Sequence, residues 1–142
     1  MKIESFFSEE TFEIGKVLGD KAVKGNIYCL KGDLGVGKTV FTKGMAHGLG
    51  IDEHVTSPTF NIVNVYEGKM PFYHFDVYRI TDPEEMYEIG YEEMFFGEGT
   101  CLIEWAELIE ELIPKEAIWI TIEKEYAKGE DYRNINIEGE IL

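Results

Sequence analysis

Gly32-Asp33-Leu34-Gly35-Val36-Gly37-Lys38-Thr39 satisfies the pattern G-x-x-x-x-G-K-[ST] at every fixed position. Glycines let a backbone wrap a polyphosphate, and successive N–H groups with the next helix N-terminus attract its charge. Lys38 has the reach to meet β- and γ-phosphates. Thr39 offers a hydroxyl to a phosphate-bound Mg2+. The competing explanation is a Gly-rich turn that merely caps a helix. An accidental match in a chain of this composition has a probability of roughly one in a hundred, so nucleotide binding is preferred.

Hydrolysis needs more than a phosphate loop: a carboxylate near the metal and a group that positions water. Glu104 follows the apolar run Cys101-Leu102-Ile103, and Asp76 follows Phe72-Tyr73-His74-Phe75. Alone, such acids are ordinarily solvated strand ends; beside a phosphate loop both become candidates. Thr56-Ser57-Pro58-Thr59-Phe60 lies where switch segments of P-loop NTPases lie, and its hydroxyls suit a sensor of γ-phosphate or Mg2+. A turn directed by Pro58 explains the same residues equally well. His74 reads as a hydrogen-bonded structural histidine rather than a catalytic one. His47 and His54 flank a loop and carry no partner signal.

These residues need elements to hold them. Asn26–Leu30 predicts a buried strand before the loop, and Lys38 to about Leu49 a helix after it. Ser8 with Glu9 and Glu10 predicts an N-capped helix carrying Ile14, Val17, Leu18 and Ala22, ending near Gly19 or Gly25. Phe60–Tyr66 and Phe72–Val77 predict an antiparallel hairpin across Glu67-Gly68-Lys69. Asp82-Pro83-Glu84-Glu85 predicts a helix start, with the stop at Gly90. Thr100–Glu104 predicts a strand. Ala106, Ile109, Leu112 and Ile113 predict a helix ended by Pro114, and a second hairpin joins Ile118–Ile122 to Ile135–Ile137. The glycines are spread along the chain and read as turn positions. One strand-helix crossover and two hairpins imply an α/β fold with a partly parallel, partly antiparallel sheet.

At 142 residues, without repeats or linkers, the chain is expected to be a single domain. It is 44% apolar and 13% aromatic, which excludes an intrinsically disordered protein. Acidic residues outnumber basic ones 28 to 13, a net charge of −15 that disfavours direct binding to nucleic acid. The runs Glu84-Glu85, Glu92-Glu93 and Glu110-Glu111 read as solvated helix faces. Cys29 and Cys101 read as buried reduced thiols, and with no signal segment or long apolar run a soluble cytoplasmic protein is expected. Only Arg79 and Arg133 are present, whereas kinases that clamp two phosphorylated ligands usually need several arginines, so a small-molecule kinase is the weaker alternative, and with no N-K-x-D tetrapeptide to read guanine a GTP-specific switch is weaker still. ATP is the expected nucleotide. Two function classes stay open: an ATPase and an ATP-binding regulatory module without significant turnover.

The phosphate loop, Ser57-Pro58-Thr59-Phe60, His74-Phe75-Asp76-Val77-Tyr78-Arg79 and Ile103-Glu104-Trp105, in that order, resemble the TsaE (YjeE) family across about Ser8 to Ile137. The resemblance implies a P-loop NTPase-like sandwich, its mixed central sheet flanked by helices, with residues 1–142 forming one P-loop ATPase domain. It also implies an ATPase of tRNA N6-threonylcarbamoyladenosine modification that acts on the TsaB–TsaD complex. TsaD would carry the threonylcarbamoyl transfer, and tRNA would be met only through the complex, without a membrane. By position, Thr39 and Glu104 correspond to Mg2+ ligands and Lys38 to the phosphate clamp. Asp76 corresponds to the acid that positions water or supports the metal shell, and Thr59 to the switch hydroxyl. Asp33, Leu34, Gly35, Val36, Gly37, Lys38, Thr39 and Val40 correspond to nucleotide-binding positions. Ser8 and Thr11 correspond to the adenine side, where Arg133 is the only arginine available from the C-terminal hairpin. The family's Trp is often followed by Pro; here the pair is Trp105-Ala106.

Overall fold

The apolar run before the phosphate loop forms a buried strand inside a seven-stranded sheet in the computed structural model, which describes residues 1–33, 35–58 and 61–139. The strands are β1 (Lys2–Ser5), β2 (Ile27–Lys31), β3 (Val63–Glu67), β4 (Pro71–Asp76), β5 (Thr100–Glu104), β6 (Ile118–Lys124) and β7 (Arg133–Glu138). They lie in the order β1-β7-β6-β2-β5-β4-β3. The central strands β6, β2, β5 and β4 run parallel, while β7 pairs antiparallel with both β6 and β1, and β3 antiparallel with β4. The mixed α/β sheet flanked by helices is thus observed.

Side chains alternate across the sheet and make two cores. On one face α1 (Ser8–Lys21) and α2 (Lys38–Gly48) bring Leu18, Phe41 and Met45 onto Leu30, Phe72, Leu102 and Ile120. On the other, α3 (Glu85–Glu88), α4 (Tyr91–Phe95) and a 3-10 helix at Ala106–Leu112 bring Met86, Phe95 and Ile109 onto Cys29, Phe75 and Ile103. The glycines of α1 and α2 are not turn residues. A Cβ at Gly15, Gly19, Gly44 or Gly48 would strike the carbonyl oxygen of Phe41, Met45, Phe12 or Lys16, so the two helices are in backbone contact. That contact seats α2 and therefore the phosphate loop at its N-terminus.

Several boundaries differ from the sequence expectation for identifiable reasons. Ser8 is already helical; Phe7 occupies the cap position at φ −143° without a side-chain cap. The Phe6 N–H instead donates to the Glu10 carboxylate at 2.7 Å, and Ser5 Oγ lies 2.7 Å from Thr11 Oγ1. The strand expected from Phe60 begins at Val63, and Phe60 itself lies outside the described residues. Glu85 accepts from the N–H groups of Thr81 and Asp82, and Asp82 from Glu84, so the expected start holds as a capped turn before α3. Gly90, at φ 72°, ends α3 as expected and then opens α4, which no periodicity announced. The expected helix after Trp105 is a 3-10 helix with Ile109 out of helical geometry. β1 was not foreseen: it is four residues long and gains its place by pairing with β7. Among the described residues no helix is long and apolar enough to cross a membrane.

Candidate active site

The phosphate loop leaves the end of β2 and enters α2 through two left-handed glycines, Gly35 at φ 79° and Gly37 at φ 102°. A side chain at either would be strained although there is room for one, so conformation and not space demands glycine there. Gly37 is the cap position of α2, with no side-chain cap and no acidic residue in the first turn. The helix N-terminus therefore keeps its attraction for an external anion. Arg133 buttresses the loop: its Nε donates to the Val36 carbonyl at 2.7 Å, and one terminal nitrogen donates to the carbonyls of Glu130 and Tyr132.

Across the loop, β4 and β5 end together, with Asp76 and Glu104 in register. A cavity of about 370 Å³ is lined by Gly35, Gly37, Lys38, Thr39, Ser57, Asp76, Glu104 and Trp105. Lys38 Nζ lies 3.7 Å from Glu104 Oε1, both side chains being about nine-tenths buried, and 5.0 Å from the centre of the Trp105 ring. The other carboxylate oxygen, Oε2, accepts from His74 Nε2 at 2.9 Å. Asp76 is more open; its Oδ1 accepts the N–H of Tyr78 at 3.0 Å. Trp105, at φ 64°, is the one left-handed non-glycine among the described residues, and it turns the chain so that its ring meets Tyr78 at 4.8 Å.

Lys38, Thr39, Asp76, Glu104, Gly35 and Gly37 thus meet in one cavity. Ser8, Thr11, Val36, Val40 and Arg133 line a second one of about 220 Å³ that shares Gly35 and Gly37 with the first. Thr11 is buried there and held by Ser5, whereas Ser8 is exposed. Asp33 lines neither of these but an adjoining cavity of about 410 Å³ bordered by Lys31, Lys124 and Tyr126, which shares Trp105 with the first and Val36 with the second. Leu34 and Thr59, expected at the nucleotide and as the switch hydroxyl, lie outside the described residues. Sequence reasoning did not join His74 to Glu104, or Lys38 to Trp105. Alternation along β4 contains part of that signal, since Phe72, His74 and Asp76 share the face of Leu102 and Glu104.

Among the described residues no group of three or more His, Cys, Asp or Glu side chains forms a metal cage. Mg2+ is usually held by only one or two protein oxygens together with phosphate and water. Thr39 and Glu104, facing one cavity at the helix N-terminus, fit that role. Away from the cavity, Cys29 and Cys101 are free and fully buried. Burial, aided by the charge of Glu107, pushes the Cys29 thiol up to about 12, and burial raises Cys101 as well.

The family described as "Threonylcarbamoyl adenosine biosynthesis protein TsaE" matches residues 7–135. The tRNA threonylcarbamoyladenosine biosynthesis protein TsaE of Bacillus subtilis (strain 168) is 49% identical over 128 residues, which is 89% of this chain and 78% of that protein. Its counterpart in Treponema pallidum (strain Nichols) is 40% identical over 122 residues, 86% of this chain and 90% of that one. The crystal structure of Bacillus subtilis YdiB superposes with a TM-score of 0.78 at 42% identity, over 96% of this chain and 83% of its own. The family match spans strands β2 to β6, the phosphate loop and both strand-end acids, and the chain belongs to the TsaE family.

Proposed function

We propose that this chain acts in tRNA threonylcarbamoyladenosine biosynthesis as an ATPase that works on a TsaB–TsaD complex. One observation carries the enzymatic part: Lys38, Thr39, Asp76 and Glu104 line a single cavity at the N-terminus of α2. A module that only binds nucleotide has little use for two carboxylates at one level of the sheet. ATP and Mg2+, when bound, supply the reactive phosphoryl group and neutralise its charge. The loop N–H groups and Lys38 hold the phosphates; Thr39 and Glu104 hold the cation. Asp76, its Oδ1 fixed by the Tyr78 N–H, orients water through its other oxygen. The net charge of −15 supports reaching tRNA through protein partners rather than by direct grip.

Turnover measured with and without a TsaB–TsaD pair and tRNA tests the proposal. Phosphate release that rises on adding the pair and tRNA supports it; nucleotide binding without release under any of these conditions leaves a regulatory module. Lys38→Ala should abolish tight ATP binding by calorimetry, and unchanged affinity would overturn the phosphate-loop assignment. The isolated chain should retain no tRNA at physiological salt, while the TsaB–TsaD complex should retain it in an ATP-sensitive way.

A further inference from the structure

His74 lies on β4 opposite Leu102, one pleat short of Glu104, and reaches diagonally across the parallel pair. Its side chain is 2% exposed and that of Glu104 9%. The two oxygens of Glu104 have different surroundings: Oε2 meets His74 Nε2 at 2.9 Å, while Oε1 faces Lys38 at 3.7 Å. An ionised carboxylate only accepts, so Nε2 carries the proton of this bond. His74 Nδ1 is buried with no partner among the described residues. The Phe72 ring stacks parallel to the imidazole, at 3° and 6.3 Å. Stacking alone would be served as well by an apolar side chain, which would orphan nothing; the Nε2 bond to Glu104 is what a histidine adds.

We infer that His74 is a positioning residue: it fixes Glu104 so that Oε1, and not a freely rotating carboxylate, is presented to the cavity. The inference rests on Glu104 being the metal-side acid. Lys38 cannot do this work throughout, because it is also the cation drawn toward phosphates, and whenever it leaves, His74 is the remaining side-chain partner of Glu104 among the described residues. Outer partners of ligating carboxylates act in this way, by orienting the ligand.

The test compares His74→Met, which keeps an apolar filler but cannot donate, with His74→Gln, whose amide nitrogen approximates the position of Nε2. Urea denaturation selects folded proteins, and Mg2+ titrations of nucleotide binding by calorimetry are the main readout. The Mg2+ requirement of His74→Met should rise about 10- to 100-fold. Affinity for ATP in EDTA should change by less than about threefold, and His74→Gln should recover most of the loss. In nucleotide-free parent protein, imidazole nitrogen NMR should show Nε2 protonated, with its signal displaced in Glu104→Gln. A folded His74→Met with the parent's Mg2+ curve, His74→Gln no better than His74→Met, or a bare Nε2 would each overturn the inference. Glu104→Ala, titrated alongside, separates the two levels. An unchanged curve there overturns the metal assignment and this inference together, whereas a changed curve beside an unchanged His74→Met overturns only the role of His74.

Discussion

Replacing Glu104 with Gln should tighten ATP binding when Mg2+ is absent and weaken it when Mg2+ is present. Without ligand, the cation that a polyphosphate needs is occupied: Lys38 Nζ sits 3.7 Å from Glu104 Oε1, with the two side chains only 10% and 9% exposed. Opposite charges at this separation attract by about 4 kcal/mol at an effective dielectric of 20. Desolvation of both ions offsets much of that, leaving about 1 to 2 kcal/mol for an arriving phosphate to replace. The same carboxylate repels the phosphate itself. Gln retains the volume, and its amide oxygen can still accept from His74 Nε2, so packing is kept while the charge is removed. Calorimetry in EDTA should therefore show a Kd lower by about 5- to 30-fold. In Mg2+ the variant lacks the anionic ligand that Glu104 is proposed to be, and its Kd should rise by about tenfold or more. The sign reversal is the signature. If the variant binds ATP in EDTA no more tightly than the parent, the Lys38–Glu104 contact does not oppose nucleotide entry and the reasoning is refuted.

Trp105 lines the cavity beneath Lys38, whereas Trp119 is half-buried on β6 under the Lys31 ammonium and does not line that cavity. In Trp119→Phe protein the fluorescence of Trp105 should change saturably with ATP and Mg2+, and a flat signal despite calorimetrically measured binding would return Trp105 to a structural role. Gly44→Ala places a methyl group on the Phe12 carbonyl. Overpacking by about 1 to 3 kcal/mol should outweigh the roughly 1 kcal/mol gain in helix propensity, and a parent-like urea midpoint would contradict the close approach of α1 and α2. Raised thiol pKa values leave little thiolate at pH 8 in Cys29 and Cys101, so alkylation should be slow in native protein and complete in denaturant. Fast labelling of the native chain would contradict their burial.

What the sequence disclosed about the fold was whatever is encoded over short stretches. The buried run at β2, the alternation of β4 and β6, and the exact span of Thr100–Glu104 needed no knowledge of neighbours. β1 escaped because four residues carry no period, and its stability comes from β7 at the far end of the chain. The helical glycines read as turns in the sequence because glycine is costly inside a helix and gives no sign of what it lies against. Only the crossing of α1 over α2 explains them. The 3-10 geometry after Trp105 was no more legible, since its apolar stripe predicts burial but neither the tighter winding nor the left-handed turn before it.

The site divides along the same line. Lys38 and Thr39 are contiguous with the loop that orients them, so eight consecutive residues specify their placement. Asp76 and Glu104 look alike in sequence, each an acid closing an apolar run, and their register makes them neighbours. What separates them is burial. Glu104 ends β5, enclosed between β2 and β4, and is 7% exposed. Asp76 ends β4, where the chain turns outward at Tyr78, and keeps contact with solvent. A buried carboxylate needs fixed partners, and among the described residues Glu104 has two, one from the phosphate loop and one lying 30 residues earlier on the adjacent strand. That second partner depends on the register of two parallel strands, which no local pattern encodes, so the acid could be found from the sequence while the histidine that holds it could not. The same difference favours the roles proposed for them: the enclosed, doubly held carboxylate suits a fixed ligand, and the open one beside it suits an exchangeable water.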